Sequence, residues 1–376
     1  MTNYIGKDEA LLPAKILYDR SCFTDPASPY ADENRMFQGI PGIACTSGGR
    51  LYFTFYTGER DEGAGNYVLL LRSDDGCTTR AGIIAAILPP TAHTRCYDPC
   101  LWTSPDGRLW LFWAQSYEWY DGRMGVWCAV CDDPAAEEPR FSEPRRIANG
   151  IMMNKPTVTR DGTWLLPCAI WHFRTSAYND LPAERYSNVY ASYDSGKSFS
   201  LIGHADYDHR YIDEHMLYET KDGDIVMLIR ADAAHGIGMS RSTDGGRTWS
   251  AGVDTALGGP CSRFCVRRLS SGRLLLINHV GGKGRTNLTA MLSEDDGQTW
   301  YASLLLDSRP DISYPDADQD ENGTVYITYD RRRYDEKEIL MAVITEDDIL
   351  AGRCVTAHSR LAVPVNRAYG TPSDKS

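Results

Sequence analysis

Ionisable side chains fall at two fixed registers of this chain. Nine residues before each turn of a repeating glycine phrase stand Ile40, Asp98, Met153, Glu214, Arg263 and Tyr314. Seven residues after the same glycines stand Tyr56, Ala114, Ala169, Arg230, His279 and Asp330. Unpaired charge is costly to bury in a β core, so Asp98, Glu214 and Arg263 are out of place unless these registers open onto a cavity. The two sets together predict a mouth that holds carboxylates, a phenol, guanidinium groups and an imidazole. Such a set suits acid–base chemistry on a small ligand whose negative charge is gripped by arginine.

The elements that would position these groups are legible from the repeat. The phrase recurs around Gly49 (SGGRLYFTF), Gly107 (PDGRLWLFW), Gly162 (RDGTWLLPC), Gly223 (KDGDIVMLI), Gly272 (SSGRLLLIN) and Gly323 (ENGTVYITY). Each is a glycine turn followed by a β-rich run, and glycine supplies the positive φ of a tight hairpin. The spacing, roughly 50–60 residues, is that of a four-stranded propeller blade. The expected fold is all-β, a six-bladed propeller forming one domain over residues 1–366, with a polar tail at 367–376. Equivalent strands of a propeller sit at equivalent radii, which is why a register read from the turn predicts a ring of residues at the axis.

A second repeat accompanies the first. Ser242–Trp249 and Ser293–Trp300 fit S-x-D-x-G-x-T-W, and Ser192–Phe199 fits with two replacements. The stretch from Ser73 to Thr79 reads as a copy one residue short, and degenerate copies are expected near Cys131-Asp132 and at Thr345–Asp347. In this Asp box the carboxylate ties a turn to nearby N–H groups and the Trp packs between sheets, so it carries no chemistry.

Composition narrows the function. A formal charge of −12 argues against a surface that tracks nucleic-acid phosphates. No apolar run is long enough to span a bilayer, and the first residues lack the apolar core of a signal peptide. Eleven cysteines, with one lone CxxC at Cys128 and Cys131, show no zinc spacing. A cytoplasmic protein without metal or organic cofactor is expected, because the acids are spread over blades rather than gathered in a calcium loop. Oligomeric state is not readable.

With the Asp boxes and these residues in place, the chain resembles the sialidase superfamily over essentially all six blades. The resemblance implies a Tyr nucleophile at Tyr314 (ISYPDADQDENG), its Glu partner at Glu214 (DEHMLYETKDG), and substrate-gripping arginines at Arg230 (IVMLIR) and Arg285 (GRTNLTAMLSEDDG). It also implies an acid on a first-blade loop, Asp61 or its neighbour Glu62, with Asp98 as the second candidate. A neutral phenol is the fitting nucleophile for a sugar with a carboxylate on its anomeric carbon, since a carboxylate nucleophile would be repelled. His215 should point to the other side of its strand from Glu214.

One departure stands out. The family places its first clamp arginine before an Ile-Pro pair, whereas this chain reads Phe37-Gln38-Gly39-Ile40-Pro41. Asp330 stands where the family has the Glu that orients that arginine. Arg35, Arg263 or Arg331 could supply the missing charge, and Gln38 could orient water or the sugar. The expected activity is removal of a terminal acidic sugar from a small glycan, most simply as an exo-α-sialidase. Two alternatives are a uronate-recognising glycosidase or lyase, with His279 or Tyr314 as its base, and a glycan-binding propeller without turnover.

Overall fold

A computed structural model of the protein describes residues 5–120, 124–171 and 181–371. Six antiparallel sheets follow one another along the chain, so the expected all-β propeller is the observed fold. The inner strands are Phe37–Cys45, Thr94–Thr103, Thr157–Val158, Met216–Glu219, Cys265–Arg268 and Ile312–Gln319. Each pairs with the strand beyond its glycine turn, and later strands add outward. The six turn glycines have φ between 82° and 96°, a region closed to most side chains, which is why the repeat keeps glycine there. A fifth strand, Lys15–Leu17, joins the outer edge of blade 1 against Gly82–Leu88.

The Asp boxes behave as fasteners. Asp295 accepts the Thr299 N–H at 2.8 Å and its hydroxyl at 2.6 Å, and Ser293 receives the Gly297 N–H at 2.9 Å. Asp194 and Asp244 repeat the pattern. These hydrogen bonds hold the carboxyls below the usual range. The Trp249 indole donates to the Gly246 carbonyl at 2.9 Å and packs on a cluster drawn from blades 3 and 4.

Two of the degenerate boxes differ from expectation. The copy at Ser73 is full length, not one residue short. Cys77 takes the glycine position at φ 57°, and Asp75 accepts from Thr79 as its counterparts do. The stretch at Thr345 is no Asp box. It is the capping box of a short helix, Glu346–Ala351, in which Asp348 receives the Thr345 N–H at 2.8 Å.

Among the described residues no strand is exchanged between the first and last blades. The inner strand of blade 1 is fastened to blade 6 by carboxylates instead. Asp330 accepts the Ile40 N–H, Asp316 that of Ile43 and Asp318 that of Cys45, at 2.8–2.9 Å. Past the last strand, Arg360–Arg367, the Tyr369 and Gly370 N–H groups donate to Asp32 and Arg35 carbonyls.

Three inner strands carry the same irregularity. Their registers shift at Gly39/Gly42, Tyr97/Cys100 and Ser313/Asp316. At each bulge the residue before a proline (Ile40, Asp98 or Tyr314) has φ between 47° and 56°. Such a conformation is unfavourable for a non-glycine residue and persists where the surroundings enforce it. A bulge re-aims a side chain, and here it does so for Asp98 and Tyr314.

Candidate active site

The bulge at Ser313/Asp316 places the Tyr314 hydroxyl against Glu214, to which it donates at 2.6 Å. The partners come from two blades with one between them, the last blade and the connection entering the fourth. Arg230, from the second strand of blade 4, pairs with Glu214 Oε2 at 2.6 Å and donates to Tyr314 Oη at 3.0 Å. All three side chains are buried. Burial pushes the Tyr314 phenol up to about 12, Glu214 adds to this, and Arg230, Arg285 and Arg333 oppose it. The phenol is therefore neutral at physiological pH, hydrogen-bonded to a group able to take its proton.

Two more guanidinium groups flank the ring. Arg285 lies 5.4 Å from the Tyr314 ring centroid and donates at 3.4 Å to Ser313 Oγ and to the Cys261 carbonyl. The Cys261 carbonyl also receives Arg230 at 3.0 Å. Arg333, which the sequence reading did not single out, lies closer, 4.1 Å from the centroid. Its Nε donates to Asp330 at 2.8 Å and its Nη2 to Ser313 Oγ at 3.1 Å, while Ser313 donates to Asp330 at 2.7 Å.

The Arg333 side chain fills the space beside Gly39. A Cβ built at Gly39 would meet Arg333 Cδ at 2.7 Å and Cγ at 2.8 Å. The glycine at the departure from the family pattern is thus the opening through which an arginine from blade 6 enters. Asp330 orients this arginine.

None of the substitutes expected from sequence joins the group. Arg35 is bound to Asp32 and to Asn366, Arg331 to Glu338 at 2.9 Å. Arg263 is fully buried, reaching the Pro41 carbonyl at 3.3 Å and lying 3.6 Å from Asp316, so it braces blade 1 against blades 5 and 6. Gln38 donates to the Lys337 carbonyl at 2.6 Å and its backbone N–H to the Arg333 carbonyl at 3.2 Å. It holds the Arg333 loop rather than a ligand.

The three acid candidates separate clearly. Asp61 is exposed on its loop. Glu62 is partly buried, 3.8 Å from Arg333. Asp98 is buried, and burial lifts its carboxyl to about 7, with Arg95 opposing and Glu62 and Glu214 raising it further. Asp98 therefore shares its population between protonated and ionised forms near neutral pH, where an ordinary carboxyl is ionised.

His279 and His215 are both held neutral, pushed down to about 4 by burial. The Nε2 of His279 contacts the Ile312 carbonyl at 2.8 Å, and that of His215 the Asn188 carbonyl at 2.8 Å. A carbonyl only accepts, so each Nε2 carries the hydrogen. His215 thus faces blade 3, as strand alternation predicts. On the side of blades 2 and 3, the apolar cluster that contains Tyr314 continues through Tyr97, Met124, Ile151, Met153 and Trp171.

The propeller has known counterparts. A family model described as a BNR repeat-like domain matches residues 49–327, about three quarters of the chain. A search of curated protein sequences gave no match. Among solved structures, the chain is similar to the Hadza microbial sialidase Hz136 at 20% identity and TM-score 0.62. The alignment covers 79% of this chain and 64% of that one, less than two thirds of its length. It is also similar to a leech intramolecular trans-sialidase complexed with 2,7-anhydro-Neu5Ac, at 13% identity and TM-score 0.62, covering 85% and 69%. A third is the intramolecular trans-sialidase of Ruminococcus gnavus in complex with oseltamivir carboxylate, at 13% identity and TM-score 0.62, covering 84% and 95%. At these identities the likeness is one of fold.

Proposed function

This chain belongs to the BNR repeat-like domain family, and on that premise we propose that it is a glycosidase that releases a terminal acidic sugar, a sialic acid or a close relative. The observation that carries this reading is the Tyr314–Glu214 contact at 2.6 Å beneath Arg230, Arg285 and Arg333. The three guanidinium groups bind the substrate carboxylate and set the anomeric carbon over the phenol. Tyr314 Oη attacks that carbon as Glu214 takes its proton. The bond to the leaving oxygen breaks, and Asp98 gives that oxygen a proton. A second displacement, by water or by a hydroxyl of the sugar itself, frees Tyr314 and restores the configuration. The sialidases and intramolecular trans-sialidases that share the fold support both outcomes.

The apolar cluster beside Tyr314 favours a sugar with an apolar substituent, such as an acylamino group, over a bare uronate. The weak basicity of His279, pushed down to about 4 by burial, and its contact with the Ile312 carbonyl weigh against its use as a lyase base.

The test is product release from sialyllactose, read by mass to separate free from anhydro sugar, with uronic-acid glycosides in parallel. Release from uronides alone would overturn the reading. The role of Asp98 has its own signature. Asp98 donates only while protonated, so its contribution falls as pH rises through about 7. Asp98→Asn is expected to cut turnover of sialyllactose by about 10²-fold or more. It should largely spare an aryl sialoside whose leaving group needs no proton. Equal loss on both substrates, or the selective loss appearing in Glu62→Gln instead, would remove Asp98 from this role.

A further inference from the structure

Outside the Tyr314 site, His209, Asp232 and His235 each present a donor atom, and the three atoms lie within 4.8 Å of one another, the one such group found among the described residues. Asp232 follows the strand Ile225–Arg230. Its Oδ1 accepts the Ala234 N–H at 2.9 Å and contacts His235 Nδ1 at 2.7 Å. A carboxylate oxygen accepts, so the Nδ1 N–H of His235 donates to it, and a metal ion entering beside Asp232 takes the place of that proton at Nδ1. His209 comes from the connection between blades 3 and 4, where the Asp232 N–H donates to its carbonyl at 3.0 Å. The two imidazoles lie parallel within 10°, centroids 3.4 Å apart, and His209 Nδ1 is 3.8 Å from Asp232 Oδ2.

We propose that His209, Asp232 and His235 bind a divalent transition metal of the zinc and nickel class, with water completing its shell. Two imidazoles and one carboxylate form a donor set that zinc accepts with a position left open. Imidazole disfavours magnesium and calcium, which take oxygen donors. Bonds of about 2.0–2.2 Å in a tetrahedron bring neighbouring donors to about 3.4 Å. Rotation of the side chains closes the remaining distance. The side chains are 42%, 42% and 26% exposed, so rotation disturbs little packing and leaves room for water. The backbone is already set, since the Asp232 N–H donates to the His209 carbonyl at 3.0 Å and the His235 N–H to the Asp232 carbonyl at 3.2 Å.

The ion would join two segments that frame the substrate clamp. Arg210 bridges Ala231, and the Tyr211 N–H donates to the Arg230 carbonyl at 3.1 Å. Metal would thus staple the approach to Glu214 to the end of the strand that carries Arg230. A ligand that binds only the folded chain stabilises it by mass action.

The experiment is calorimetric titration of the chelator-treated full chain with zinc chloride, and with magnesium chloride as a control, together with thermal unfolding. One zinc per chain and a higher Tm are expected, with no response to magnesium. His209→Ala and His235→Ala should each weaken zinc binding at least about tenfold. Both residues are partly exposed, and circular dichroism checks that the variants fold. The proposal is overturned if wild type shows no zinc heat, or if both variants bind as wild type does. Neither readout involves turnover, so its failure is separate from any failure of the glycosidase reading.

Discussion

Replacing Arg333 by alanine is expected to lower kcat/KM for a sialylated substrate about ten- to a hundredfold, since a charge-assisted contact contributes about 1.5–3 kcal/mol and each 1.36 kcal/mol is tenfold. If the contact is made equally in ground and transition states, the loss falls on KM. Gly39→Ala should produce a similar loss without touching a charged residue, because its Cβ would meet Arg333 Cδ at 2.7 Å and drive the guanidinium from its place. The informative variant is double. Gly39→Arg with Arg333→Gly moves the cation to the blade 1 side, where the family keeps it, and leaves room for it. Partial recovery in the double variant, with loss in each single one, would establish that one cation position can be filled from either blade. Full activity in Arg333→Ala alone would end this account of Gly39.

Tyr314→Phe is the second large effect. It keeps the ring under Arg333 and removes only the oxygen that donates to Glu214 at 2.6 Å. Loss of the nucleophile is expected to cut turnover about 10³-fold or more while ligand binding persists. Glu214→Gln should cost about 10²–10⁴-fold, the range for a lost general base. Thermal unfolding of both variants guards against a trivial cause, since Glu214 also neutralises buried Arg230 at 2.6 Å. A propeller that only binds glycans would show no turnover in wild type and unchanged affinity in Tyr314→Phe. That outcome would replace the enzymatic reading.

Much of this was legible in the sequence, and for a physical reason. A propeller repeats one hairpin around an axis, so a count from the turn glycine transfers from blade to blade. That count picks out Glu214, Arg230 and Tyr314, which meet, and Asp98, a buried carboxyl raised further by the charges of Glu62 and Glu214. The same count picks out Arg263, which lies on the axis but braces blades, because a register fixes radius and not the partner a long side chain finds. Arg333 escaped for another reason. It sits in the run Arg331-Arg332-Arg333 after a strand, where consecutive charges read as a solvated loop. Only the three-dimensional match between its methylenes and the bare Cα of Gly39 distinguishes it from its neighbours. Cys77 made an Asp box read one residue short for a simpler reason, since a non-glycine residue at φ 57° breaks the pattern without breaking the turn.

The carboxylate of Asp330 has a consequence for folding. One of its oxygens receives the Ile40 N–H, which joins the first blade to the last, and also the Arg333 guanidinium. Its other oxygen receives Ser313, the residue next to Tyr314. Blades can form one after another during synthesis, each from its own contiguous stretch of chain, but this carboxylate has its full set of partners only when the two ends of the chain meet. Closure of the ring therefore adds the Ile40 contact to a carboxylate that already holds Arg333 and Ser313 within the last blade. On the glycosidase reading, a chain that lacks its last blade lacks Tyr314 and Arg333 together with the closing contact, so it is expected to show no turnover however many earlier blades it has made.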